Sequence, residues 1–221
     1  MKKILVVAPH PDDETLGCGG TILKHIKKGD EVHWLIVTKM SKKAGFSKFE
    51  IDKKNKEIEE VGNLFGFKKI HQFGFHTTLL DQVLRVDLVN KFSRLIKEEK
   101  FHTMYLPFRN DAHSDHKIVY DSAITCAKSF RYKSIKSIFI YETLSETEYG
   151  FQPGVNFVPN LFVDISNFLK QKIKIMNSYK NEISDFPFPR SKVCIESLAK
   201  LRGSMIDCEA AEAFMIVKII K

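Results

Sequence analysis

Residues 3–38 read KILVVAPHPDDETLGCGGTILKHIKKGDEVHWLIVT, and their order decides the fold. Ile4-Leu5-Val6-Val7 is a continuous apolar, β-branched run, the pattern of a strand covered on both faces in a parallel sheet. It stops abruptly at Pro9-His10-Pro11. From Leu16 onward Ile22, Leu23 and Ile26 recur at helical spacing until Gly29-Asp30, a helix stop, and a second apolar strand then spans Glu31 to Thr38. The alternation continues with helices near Ile51–Phe65, Val83–Glu99 and Asp115–Phe130 and strands near Lys69–Phe73, Thr103–Leu106 and Ser137–Tyr141. Strands and helices alternating at this spacing make βαβ units. The expected fold is therefore α/β and Rossmann-like: a mainly parallel, twisted sheet, helices on both faces, the first strand central.

Beyond Gly150 the rhythm changes to a turn-rich stretch, a strand near Leu161–Val163, helices near Ser166–Tyr179 and Ser191–Ile206, and a closing apolar run Phe214–Ile220. No flexible linker sets this part off. Residues 1–221 are thus expected to form a single domain, with 150–221 as a C-terminal elaboration framing the pocket.

Composition narrows the function classes. With 43% hydrophobic and 28% charged residues, the 221-residue chain can bury a sizeable core and is neither disordered nor fibrous in type. No stretch approaches the roughly 18 apolar residues of a membrane span, and Ile4–Ala8 is too short for a secretory h-region. Cys18, Cys126, Cys194 and Cys208 form no CxxC pair, which argues against a thiolate metal site and suits a reducing, cytoplasmic compartment. The net charge of +8 invites anionic partners. Its lysines, however, are scattered without interleaved aromatics, so they read as a solvated surface rather than a nucleic-acid stripe.

Two clusters carry chemistry. In an open parallel sheet, ligands bind beyond the carboxyl ends of the strands. Ala8-Pro9-His10-Pro11-Asp12-Asp13-Glu14 begins where the first strand ends, and two prolines stiffen that turn. Such acids can also merely cap the next helix. Asp111-Ala112-His113-Ser114-Asp115-His116 follows the strand ending at Leu106-Pro107, and His113 and His116, three apart, can share one side of a helical turn. Taken together, the clusters make a mononuclear metal site the economical explanation. Histidine and aspartate ligands suit Zn2+ with an open position for water, and Fe2+ is another divalent candidate.

The pair AHPDDE at Ala8–Glu14 and HSDH at His113–His116 resembles the PIG-L/LmbE family of zinc-dependent sugar de-N-acetylases. Gly17-Cys18-Gly19-Gly20, Glu57–Phe67, Arg202-Gly203 and Ala211-Glu212-Ala213-Phe214 extend the likeness over most of the chain. The resemblance implies that His10, Asp13 and His116 hold one zinc ion and that Asp12 is the general base. It further implies that His113 is a protonated stabiliser or general acid, oriented by Asp115, which would raise its pKa. Glu14 is left a supporting hydrogen bond. The implied reaction removes acetyl from an N-acetylglucosamine-type conjugate, giving acetate and a free amine. One departure is Lys54, which stands three residues before Glu57 where the family often carries arginine.

Other readings compete. Gly17-x-Gly19 after a strand suggests a dinucleotide loop, but the third glycine would fall at Ile22 and the acidic turn would repel a pyrophosphate. Two histidines and a carboxylate also suit non-haem iron oxygenases, whose usual all-β barrels this alternation contradicts. A related amidase acting on a sugar–thiol conjugate stays open. A basic, non-catalytic phosphate- or nucleic-acid-binding module would explain the charge and leave both clusters unexplained. The expected partner is a small amino sugar conjugate, with no nucleic acid, no membrane span, and room for a homo-oligomer. Lys42 and Lys43, after the second strand, and Arg109, before His113, are candidates for contacting an anionic group on the substrate; a solvated lysine loop is the alternative. His25 and His33 have no acid partner in sequence and read as packing residues, whereas His76 falls on the site edge.

Overall fold

Ile4-Leu5-Val6-Val7 lies within the first strand, β1 (Lys3–Ala8), of the computed structural model, which describes residues Met1–Lys221. The chain continues through α1 (Asp13–Lys27), β2 (Glu31–Lys39), α2 (Lys48–Phe65), β3 (Lys69–His76) and α3 (Arg85–Glu99). After these come β4 (Thr103–Pro107), α4 (Ser114–Ile124), β5 (Ser137–Tyr141), β6 (Leu161–Asp164), α5 (Leu169–Met176), α6 (Lys192–Ser204) and β7 (Ala211–Ile219). All seven strands share one sheet, ordered β3-β2-β1-β4-β5-β7-β6. Strands β1 to β5 pair in parallel, and β7 runs antiparallel to both β5 and β6. The expected fold class holds, β1 is interior, and the segment beyond residue 150 completes the same sheet. No helix is long and apolar enough to cross a membrane.

Alternation along the strands splits the core into two layers. Ile4, Val6, Ala8, Trp34 and Ile36 pack under α1, α2 and α5, while Leu5, Val7, Leu35 and Val37 pack under α3 and α4. Because both faces are covered, β1 reads as an unbroken apolar run; each such side chain contributes about 1.5–3 kcal/mol on burial.

Several element boundaries differ from the sequence expectation, α5 (Leu169–Met176) and β7 (Ala211–Ile219) among them, and three others have a clear local reason. Helix α2 starts at Lys48 rather than near Ile51, since Ser47 and Glu50 form a reciprocal capping box. Strand β3 runs on to His76 through a register shift opposite Ile36–Thr38, where Gly74 takes φ +75°. Helix α4 stops at Ile124, and Thr125 Oγ1 donates back to the Ser122 carbonyl at 2.6 Å within a short 3-10 turn.

The glycines after the first motif serve packing. A Cβ at Gly17 would strike the Tyr141 ring, and one at Gly20 would lie 2.6 Å from the Ile165 side chain. This bare face of α1 also admits two buried charges. Glu212 of β7 accepts from the amides of Gly20 and Thr21 at 2.8 and 2.7 Å, and Lys172 of α5 donates to the Leu16 carbonyl and to Glu212, both at 2.7 Å.

Candidate active site

The order β2-β1-β4-β5 places a topological switch point between β1 and β4, with helices departing to opposite faces. His10 follows β1, and His113 and His116 open α4 directly after β4, so the two sequence clusters meet there. Thr38 of β2 fixes the first turn, its amide and hydroxyl both donating to the Pro9 carbonyl at 3.0 and 2.8 Å. A cavity of about 300 Å3 opens over the junction, lined by His10, Asp12, Asp13 and His113 among others. That is the low end of the roughly 300–1,000 Å3 common for small-molecule sites.

His10, Asp13 and His116 offer ligand atoms within 4.8 Å of one another. Asp13 Oδ2 sits 3.4 Å from His10 Nδ1 and 3.3 Å from His116 Nε2, and it also accepts from the His10 amide at 2.8 Å. The remaining ring nitrogens are both backed by carboxylates. His10 Nε2 contacts Asp115 Oδ2 at 3.0 Å, and His116 Nδ1 contacts Asp111 Oδ2 at 2.7 Å. Asp111 is itself held by the Thr147 hydroxyl at 2.6 Å. This arrangement orients a ligating imidazole and raises its basicity. His116 Nε2 is buried with no hydrogen-bond partner, an expensive condition for a polar atom unless a cation completes it. The donor set therefore fits a divalent metal ion. His10, His113 and Asp115 are also close enough to form a set, but His113 accepts the Asp115 amide on Nδ1, which puts its own proton on Nε2 and leaves that ring no free lone pair.

Charge follows from these contacts. Burial would lower the His10 imidazole, but Asp115 and Asp13 outweigh it and push it up to about 9. Burial would raise Asp13, and the His116 and His10 imidazoles instead hold it well below the usual carboxylate range. Asp12, buried beside Asp13, is pushed up to about 6, with Arg190 opposing the rise. Glu14 points away from the cavity. Its Oε1 accepts from Thr15 and from Tyr179 at 2.6 and 2.7 Å, and burial pushes its carboxyl up to about 8.

Several expectations need correction. The Asp115 carboxylate serves His10, not His113; only the Asp115 amide reaches His113, donating to Nδ1 at 3.1 Å. Burial and the neighbouring His10 push His113 down to about 4, so it is neutral near pH 7, with its proton on Nε2. Arg109 turns away from the cavity and pairs with Asp121 at 2.6 and 3.2 Å. Lys42 and Lys43 are exposed on a short 3-10 turn and do not line the cavity, whereas Lys39 and Phe46 on either side of them do. Thr77 and Thr78, rather than His76, reach the site. His25 has an acid partner after all, with Asp30 at 2.8 Å.

Besides Lys39, two cations that carry acid partners enter the cavity, Arg190 and Lys54. Arg190 contacts Asp12 at 2.8 Å, Glu182 at 3.0 Å and Glu146 at 3.3 Å. Lys54 contacts Glu182 at 2.8 Å and Glu57 at 3.2 Å. Both positive charges are thus already matched by buried or half-buried acids. Arg190 carries no local sequence signal, being 178 residues from Asp12. Lys54, by contrast, is the residue that the sequence marks three positions before Glu57, where the family often carries arginine.

A family model described as PIG-L: GlcNAc-PI de-N-acetylase matches residues 5–127. The chain is 25% identical over 229 residues to a diacetylchitobiose deacetylase of Thermococcus kodakarensis, covering 98% of this chain and 84% of that one. Among solved structures it resembles the N,N'-diacetylchitobiose deacetylase of Pyrococcus horikoshii, with a TM-score of 0.79 and 24% identity over 98% of this chain and 84% of the other. It also resembles GalB, the 4-carboxy-2-hydroxymuconate hydratase of Pseudomonas putida, with a TM-score of 0.69 and 14% identity over 100% and 98% of the two chains. A hydratase and deacetylases share this fold, so side chains rather than topology must decide the reaction.

Proposed function

The chain belongs to the PIG-L family of de-N-acetylases, and on that premise we propose that it is a zinc-dependent hydrolase removing acetyl from an N-acetylglucosamine-type conjugate. One observation carries the reading: Asp13 Oδ2 lies within 3.4 Å of His10 Nδ1 and of a His116 Nε2 that makes no hydrogen bond, with Asp12 one residue away lining the cavity. A two-histidine, one-aspartate set with open positions suits catalytic zinc. The four free cysteines agree with a reducing, cytoplasmic setting.

A divalent ion held there would polarise the amide carbonyl and make water nucleophilic at neutral pH. Asp12 takes a proton from the attacking water, a role suited to a carboxylate raised toward neutrality yet still ionised at pH 7. His113, neutral and bearing its proton on Nε2, donates a hydrogen bond toward the developing oxyanion. Asp12, protonated by the first step, then delivers that proton to the departing nitrogen. Arg190 holds Asp12 in place at 2.8 Å while Glu182 and Glu146 anchor the guanidinium. The non-catalytic binding-module reading would leave this buried donor set without a purpose.

The test is acetate release from a panel of N-acetylated amino sugars by the zinc-loaded chain. Asp12→Asn should lose roughly 10²- to 10⁴-fold in turnover, the usual worth of a positioned base, with metal content unchanged. Turnover near wild type would remove Asp12 from the role. Activity that survives complete removal of metal would defeat the reading as a whole.

A further inference from the structure

At the amino edge of the sheet, away from the cavity, three side chains of metal-binding type meet that deacetylation does not use. His33 lies near the start of β2, His71 near the start of β3, and Glu99 ends α3. His33 Nδ1 faces His71 Nε2 at 2.9 Å, with ring centroids 5.2 Å apart and planes inclined by 19°. Phe101 packs edge-on against both rings and limits their rotation. One nitrogen from each ring and a Glu99 oxygen lie within 4.8 Å of one another. Five strand steps of β2, roughly 17 Å, separate His33 from Thr38 beneath the catalytic turn.

A simple histidine–histidine hydrogen bond leaves this cluster incomplete. Burial lowers both imidazoles below the ordinary histidine range, which favours the neutral, lone-pair-bearing ring. The contact uses one proton between them, and His33, 2% exposed, still has its Nε2 buried without a partner. Neutral imidazoles beside a carboxylate form the borderline donor set preferred by late divalent transition metals. Lys3 and Lys69 hold Glu99 at 3.1 and 2.8 Å, but a carboxylate offers about four lone-pair positions and can ligate a metal with both lysines in place. Their charge weakens the site without blocking it, and exposed Lys69 is free to swing aside.

We propose that His33, His71 and Glu99 form a second, weaker site for one divalent transition-metal ion of the zinc or nickel class, fastening edge strand β3 to β2 and to the end of α3. It is independent of the catalytic reading. The test is calorimetric zinc titration of the chelator-treated chain beside four variants. Wild type should take up two equivalents. His71→Gln and the shape-conserving Glu99→Gln should each lose the weaker equivalent while deacetylation by the reloaded enzyme is unchanged; His10→Ala should lose only the tighter one. Lys69→Ala, which frees a Glu99 oxygen, should tighten the weaker site about two- to fivefold, the exchange value of an exposed ion pair. Unaltered stoichiometry in both His71→Gln and Glu99→Gln, or a weaker site indifferent to Lys69→Ala, overturns the proposal. A single equivalent lost in His71→Gln but kept in His10→Ala would uphold this site and refute the catalytic one.

Discussion

Replacing Glu212 by glutamine tests how the bare face of α1 is held. The carboxylate is the only acid on the Lys172 ammonium, and both side chains are about 95% buried. Glutamine keeps the shape and one acceptor oxygen, so it can still take an α1 amide, but it leaves the lysine charge uncompensated. Removing one partner of a buried pair costs about 3–5 kcal/mol, and the retained acceptor places this change near the lower end. For a chain of this length that corresponds to a fall in Tm of roughly 6–12 °C. Trp34, the only tryptophan and fully buried beneath α1 and α2, reports unfolding in urea by fluorescence without further labelling. Lys172→Met combined with Glu212→Gln removes the stranded charge and should recover about 2 kcal/mol relative to Glu212→Gln alone. A loss under about 1 kcal/mol in the single variant, or a double variant no better than it, would refute the argument that the pair matters through its buried charge.

Three further outcomes follow from the site. In the metal-free chain His10, pushed up to about 9, and His116, raised well above its ordinary value, carry protons at pH 7; zinc binding must expel them, so calorimetry in buffers of different ionisation enthalpy should show net proton release that shrinks as pH rises through 9. Arg190→Ala removes the cation opposing the rise of Asp12, so the acid limb of kcat/KM should move to higher pH, with Arg190→Lys partly restoring it; an unmoved limb would show that Arg190 does not act through Asp12. Lys42→Ala/Lys43→Ala and Arg109→Ala should leave kcat/KM unchanged for neutral and anionic substrates alike, because none of the three side chains lines the cavity.

The sheet and the meeting of the two motifs were legible because they rest on local pattern: Ile4–Val7 is apolar throughout, and a strand's carboxyl end is fixed once the strand is found. The partners of the site were less so. Asp115 lies two residues from His113 in sequence, yet opening α4 at Ser114 swings its carboxylate toward His10, a direction sequence spacing does not encode. Ser41 caps the 3-10 turn and Gly45 at φ +88° reverses the chain, so that Lys42 and Lys43 face solvent and Phe46 faces the cavity. Arg190 was out of reach because only the folded C-terminal segment brings it to Asp12.

Asp12, Asp13, His10 and His116 all come from the first 127 residues, whereas Glu146, Glu182 and Arg190, which wall the same cavity, come from beyond them. The later stretch thus acts as a clasp: it closes one wall of the cavity and grips Asp12 through Arg190, while Lys39, Phe46, Lys54, Thr77 and Thr78 supply the rest of the lining from the earlier stretch. A chain cut after residue 127 would keep every metal-type side chain of the site and lose the grip on Asp12.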